Sequence, residues 1–189
     1  TLQPVLAAGY SLEDNYESLF GNVSSGTNLT ASSSETIFAI DYNETDGNNH
    51  AFFFLEAGRG EVGPSSTLLN AFESGDSRID LITANGEIGK YADPGNGSDD
   101  AYVFRFADVL LMQAELLARK DDPAASNFIN LVRDRAGLGP VTIDSSNFVD
   151  VIAQERFVEF YAESSDRFFT ITRLGIADEV ISSKPNNVV

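Results

Sequence analysis

The sequence has no cysteine and no tryptophan, one histidine and one methionine, and only twelve lysines and arginines against 29 acids. Without cysteine there can be no disulfide, zinc-thiolate site, iron–sulfur cluster or thiol nucleophile. His50 alone cannot build a histidine-rich metal centre, and it leaves at most one imidazole for base chemistry. Neither a metal nor a cofactor is expected. A formal net charge of −17 repels phosphate backbones and anionic headgroups, because nucleic-acid binding draws on a basic footprint. Nucleic acid is excluded as a partner on that ground. No apolar run approaches the ~20 residues that span a bilayer; the densest, Val109 to Met112, is flanked by Asp108 and Glu115. The chain opens at Thr1-Leu2-Gln3 with neither an initiator Met nor a leader pattern, so a mature or excised piece is expected.

What is present is ordinary for a globular chain. Its 189 residues suit one domain with a sizeable core, and 42% hydrophobic with 22% charged residues argues against wholesale disorder. Lysine is confined to Lys90, Lys120 and Lys184. Acids that self-repel at low salt and are screened at high salt point to a marine or halophilic source.

Two halves differ in texture. Residues 1–99 are rich in Gly, Ser, Asn and Asp and carry short apolar bursts. Thr36 to Tyr42 mixes β-branched and aromatic residues between Ser32-Ser33-Ser34 and Asn43 to Gly47, a strand signature. Ala51 to Leu55 is a second apolar run behind the turn-rich Asp46 to Asn49, and a β-hairpin joining the two is expected. Leu68 to Glu73 reads as a short helix stopped by Gly75, and Asp93 to Ser98 as a loop.

From Asp100 onward the period becomes helical. Val103, Phe106, Ala107, Leu110, Ala114 and Leu117 recur at 3–4 spacing, which predicts a helix from Val103 to Lys120 with Arg105–Asp108 and Glu115–Arg119 as same-face ion pairs. Asp122 can cap the next helix, Pro123 suits its first turn and Gly137 ends it, with Phe128, Ile129, Val132 and Ala136 facing the core. A link of two or three residues makes these antiparallel neighbours. A third helix is expected from Ser146 or Asn147 to Ala162, apolar around most of its girth and so buried on more than one side. A fourth runs from Ser165 to Ile181 with a bend near Gly175. Two stacked hairpins are the smallest piece of a helical-repeat array.

Three blocks in order carry a resemblance. They are Tyr102-Val103-Phe104-Arg105-Phe106-Ala107-Asp108-Val109-Leu110-Leu111-Met112-Gln113-Ala114-Glu115, then Phe128-Ile129-Asn130-Leu131-Val132-Arg133-Asp134-Arg135-Ala136-Gly137-Leu138, then Ile152-Ala153-Gln154-Glu155-Arg156-Phe157-Val158-Glu159-Phe160 with Arg167-Phe168-Phe169. The chain resembles the SusD/RagB family of nutrient-capturing surface lipoproteins. Upstream echoes are Gly9-Tyr10-Ser11-Leu12 with Leu19-Phe20, Ser34 to Ile40, Gly75-Asp76-Ser77-Arg78 and Lys90-Tyr91. It departs at Glu163-Ser164, where the family tends to Glu-Gly, at the extra residue before Arg167, at Phe168 for a frequent Trp and at Thr170 for a frequent Asp.

The resemblance implies a mainly α fold: tetratricopeptide-like helix hairpins over 100–189, packed as one C-terminal domain with a loop-rich part, 1–99, that holds a few short β-strands. It implies no catalysis. It implies an oligosaccharide or polysaccharide held at the outer-membrane surface and passed to a TonB-dependent transporter. The lipid anchor would belong to an N-terminal part outside this chain.

Candidate chemistry follows from the acids and aromatics. Glu155, Glu159 and Glu163 fall at i, i+4 and i+8, and paired carboxylates across a sugar are the apparatus of glycoside hydrolysis. The alternative, which we favour, is a structural network of Arg105, Asp108, Glu155, Arg156, Glu159 and Arg167, since a guanidinium can bridge two acids. Asp41-x-Asn43-x-Thr45-Asp46-Gly47 alternates like a calcium loop but has its glycine one position late, and a solvated turn fits better. Sugar binding without catalysis needs aromatic faces and forked polar groups, for which Tyr42, Phe53, Arg59 and Tyr91 are the candidates.

Overall fold

The computed structural model describes residues 2–163 and 166–183. Thr1, the Ser164-Ser165 departure, Lys184 and the ending Asn187-Val188-Val189 lie outside the described residues. In chain order the elements are α1 (Gln3–Leu6), β1 (Thr36–Ile40), α2 (His50–Phe54), α3 (Ser66–Leu69), β2 (Ala101–Arg105), α4 (Phe106–Ala118), α5 (Ala125–Arg135), α6 (Phe148–Glu159), α7 (Asp166–Leu174) and α8 (Ala177–Ser182). Short 3-10 turns cover Tyr16–Leu19 and Ser77–Leu81.

The architecture is mainly α, as the helical period after residue 100 demands. α4 packs along α5, α6 packs on α7, and α4 meets α6, so two hairpins lie back to back. Three consecutive residues of α4, Val109, Leu110 and Leu111, are buried because the helix is covered on more than one side. Ile129 and Val132 of α5 and Ile152 of α6 complete that core, and Leu2, Val5 and Leu6 seal its end. Gly137 closes α5 with φ +78°, a left-handed conformation that side chains with a Cβ rarely adopt. The Asp122 carboxylate accepts from Ala124 N at 3.0 Å, and the helix starts at Ala125. α7 ends at Leu174 and α8 begins at Ala177, with the expected bend at Gly175.

Four local expectations are corrected. Residues 101–105 are a strand, and α4 starts only at Phe106. The 3–4 spacing extends back to Val103, but β-branched and aromatic residues in the run suit pairing with β1, and Phe106 N–H donates to Glu35 O at 2.8 Å. Second, β1 pairs antiparallel with β2 and forms no hairpin with 51–55. That run is the helix α2, which buries Ala51 and Leu55, four residues apart, against Tyr91. Third, the short helix expected at 68–73 and stopped by Gly75 is instead Ser66–Leu69, ending at Asn70 and starting where the Ser65 hydroxyl accepts from Leu68 N at 3.2 Å. Fourth, residues 119–124 separate α4 from α5, more than the two or three expected.

The loops of the first hundred residues are tied by carboxylates in place of sheet ladders. Asp99, fully buried, accepts from Leu29 N at 2.6 Å, Ala92 N at 2.8 Å and Asp93 N at 2.7 Å. Asp100 accepts from Ala31 N at 2.8 Å and Tyr42 N at 3.2 Å. Each acid satisfies backbone donors that would otherwise be buried without partners.

Candidate functional site

The acids of α6 are locked in a buried charge lattice. Arg78 grips Asp76 with two nitrogens at 2.8 Å and reaches Glu155 at 2.6 Å and Glu159 at 3.0 Å. Arg105, at the end of β2, binds Glu35 at 2.6 Å, Glu159 at 2.5 Å and Glu163 at 2.9 Å. Arg133 joins Glu155 at 3.0 Å to Glu73 at 2.6 Å, while Arg135 joins Glu35 to Glu159. Lys90 bonds Glu163 at 2.6 Å, and its ammonium lies 4.0 Å from the Tyr161 ring centroid and 4.5 Å from that of Phe20.

Electrostatics follow from this crowding. Burial pushes the Glu159 carboxyl up, but Arg135, Arg105 and Arg78 together outweigh it and hold that group well below the usual range. Glu163 is likewise held low, against burial, by Arg105 and Lys90. In Glu155 burial prevails over Arg78, and its carboxyl is raised. Burial brings Lys90 down to about 8 despite Glu163. Glu155 and Glu159 are buried and paired with guanidiniums, and Glu163, equally buried, is paired with Arg105 and Lys90.

The expected network of six therefore divides. Glu155 and Glu159 sit in the lattice with Arg105. Arg156 instead joins Asp108 at 2.7 Å, Asp166 and, at 2.9 Å, the hydroxyl of Thr170. Arg105 does not pair with Asp108, because Arg105 precedes the helix and points into the core. Arg167 donates to Ala153 O at 3.1 Å and lies over the Phe157 ring at 4.2 Å. The Glu115–Arg119 pair is present at 2.9 Å, extended by Arg173. Glu35, Glu73, Asp76, Arg78, Lys90, Arg133, Arg135 and Glu163 are lattice members outside the expected six. Their signal was the arrangement of lone charges inside otherwise apolar or turn-forming blocks, such as Gly75-Asp76-Ser77-Arg78.

The aromatic candidates also separate. Tyr91 is only 2% exposed, with its hydroxyl on Ala162 O at 3.3 Å, so it is a core residue and offers no face to a ligand. His50 stacks on it at 4.6 Å between centroids, 19° from parallel. Phe54 also packs on Tyr91, at 5.8 Å. The next side chain round the helix, Phe53, turns outward. With Asn49, His50, Phe54 and Val62 it lines an open depression of about 310 Å³. The following loop folds back, Arg59 N donating to Phe52 O at 2.7 Å and Val62 N to Phe53 O at 3.0 Å, which sets Val62 against Phe53. Arg59 lies on that loop, paired with Glu61 and exposed. Tyr42 follows β1 and does not line the depression. Asn43 accepts from Thr45 N at 2.9 Å and Asp46 N at 3.2 Å, the chemistry of a turn. Among the described residues no cluster of acids and histidine has the spacing of a metal site.

A second concavity, of about 370 Å³, lies between β2 and α7. Phe104 and Phe169, 50% and 64% exposed, form its rim, and Arg105, Asp108, Arg156 and Glu163 its floor. Those floor charges are already paired with one another or with the lattice. Among the described residues no helix is long and apolar enough to cross a membrane.

Comparison with known proteins adds a family model, the SusD family, matched by residues 81–189. No curated protein matches the chain. Among solved structures, a laminarin-binding SusD-like protein superposes with a TM-score of 0.74 at 22% identity, over 96% of this chain and 50% of its own. Surface glycan-binding protein A from Bacteroides thetaiotaomicron, in complex with laminarihexaose, gives 0.74 at 20% identity over 95% and 50%. Its namesake from Bacteroides fluxus gives 0.77 at 21% identity over 99% and 49%. At these identities the likeness is one of fold. This chain spans about half the length of those structures.

Proposed function

This chain belongs to the SusD family, and on that premise we propose that it holds an oligosaccharide without cleaving it. The sugar would sit on the α2 depression. One observation carries the reading: the half-buried Phe53 and His50 line an open depression beside the exposed Asn49, so an apolar face adjoins polar groups there. The solved relatives whose names mention laminarin or laminarihexaose support the ligand class. The burial and pairing of Glu155, Glu159 and Glu163 support a bracing role over a reacting one. The wider role we infer is that of a surface component, lipid-anchored through a part outside this chain, which delivers its sugar to a TonB-dependent, SusC-like transporter.

Electrophoresis through native gels containing laminarin and other polysaccharides tests the binding. Retardation by one of them, lost in Phe53→Ala, is the expected result. Release of shorter sugars by the purified chain would instead indicate a hydrolase, and no retardation by any polysaccharide would leave a scaffold that contacts only the transporter.

A further inference from the structure

His50 is the only histidine of the chain, and the hydrogen bonds around it determine which of its ring nitrogens carries the proton. The side chain of Asn48 cannot be turned round. Its Oδ1 accepts from the backbone N–H of His50 at 2.8 Å, while its Nδ2 donates to the carbonyl of Asp99. An oxygen fixed in this way meets His50 Nδ1 at 3.0 Å, and only an N–H can face it. In the neutral ring Nδ1 therefore holds the hydrogen and Nε2 is bare. Nε2 has no hydrogen-bond partner among the described residues and is not among their buried unpaired atoms, so it is not sealed from solvent, and His50 itself lines the depression.

We propose that Asn48 sets the tautomer of His50 so that its bare Nε2 accepts a hydrogen bond from a hydroxyl of a sugar seated against Phe53. This rests on the glycan reading above and gives that site its specificity element. A sugar ring presents C–H groups on its face and hydroxyl donors at its edge. Phe53 suits the first and Nε2 the second. A neutral imidazole accepts without the desolvation that a buried carboxylate would incur, which matters in a half-buried aromatic setting. The ring is packed by Tyr91 and Phe54, and the charged group that acts on it is Asp99. Burial lowers the His50 pKa from 6.5 against the opposing pull of Asp99, so the acceptor persists at neutral pH.

A single histidine makes the test direct. Nitrogen-15 NMR of the imidazole at pH 8 should show a protonated Nδ1 and a bare Nε2, and addition of laminarihexaose, or of whichever oligosaccharide the gels identify, should move the Nε2 resonance. Affinity should fall about three- to tenfold in His50→Phe, which keeps the stacking but removes the acceptor, and His50→Gln should recover most of the loss. A protonated Nε2 overturns the proposal whether or not any glycan binds. Glycan binding that Phe53→Ala abolishes but His50→Phe leaves unchanged overturns it while sparing the glycan reading. Absence of binding to every glycan overturns both.

Discussion

At the scale of single residues, the most constrained group is Glu159, whose carboxylate faces Arg78, Arg105 and Arg135. Removal of its charge would leave three guanidiniums undercompensated around a fully buried side chain. Glu159→Gln should therefore cost about 3–5 kcal/mol in denaturant unfolding, as broken buried pairs do. Since the folded carboxyl is held below its ordinary 4.5, the stability it confers is complete above that pH and is lost as acid protonates it. The variant's acid limb should be correspondingly flatter. Lys90 acts in the alkaline range, where burial disfavours its charged form. Its pKa falls from 10.5 to about 8 on folding, so between these values the unfolded chain binds more protons and stability rises with pH. The stability of the wild type relative to Lys90→Met should climb from pH 8 to 10, by at most about 1.4 kcal/mol per unit. A flat difference would show that the ammonium is not held as the structure has it.

At the scale of elements, the helix α2 depends on a contact with the 93–99 loop. Gly97 has φ +67°, and a Cβ there would collide with the carbonyl of Asn48, whose backbone N–H bonds Gly97 O at 2.9 Å. Gly97→Ala should destabilise by more than about 1 kcal/mol and should also disturb the His50 resonance, since Asn48 is displaced. An unchanged imidazole spectrum would separate the loop from the site. The same segment shows what the residues could tell in advance. Long periodic runs such as 106–118 and 125–135 were legible, because a helix that buries one stripe imposes its 3.6 period on the chain. The run 51–55 was not, since five apolar residues fit a strand or one helical turn equally, and the choice fell to Tyr91, distant in sequence. The lattice was half legible for a related reason. Arg and Glu on α6 announce that charges meet, but only the tertiary fold brings Arg78 and Glu35 to them. Tyr91 looked like a loop aromatic by its neighbours, and it is core.

At the scale of the molecule, acids exceed bases inside and outside the core. Arg78, Lys90, Arg105, Arg133 and Arg156 are buried with a larger number of acids, and the acids left on the surface still outnumber the remaining basic residues. Outside the lattice the acids repel one another. The melting temperature should therefore rise from low to molar NaCl, and a melt insensitive to salt would contradict the picture of a self-repelling exterior. We propose that ligand capture belongs to α2 and not to the groove of Phe104 and Phe169 or to the buried acids. The most direct measurement is calorimetric titration of the wild type, Phe53→Ala and Phe104→Ala with an oligosaccharide selected by gel retardation, followed by recovery of the sugar. Affinity should fall at least about tenfold in Phe53→Ala, equivalent to roughly 1.4 kcal/mol, and change little in Phe104→Ala, with the sugar returned intact. Loss of binding in Phe104→Ala with Phe53→Ala unaffected, or recovery of cleaved sugar, would contradict the proposal.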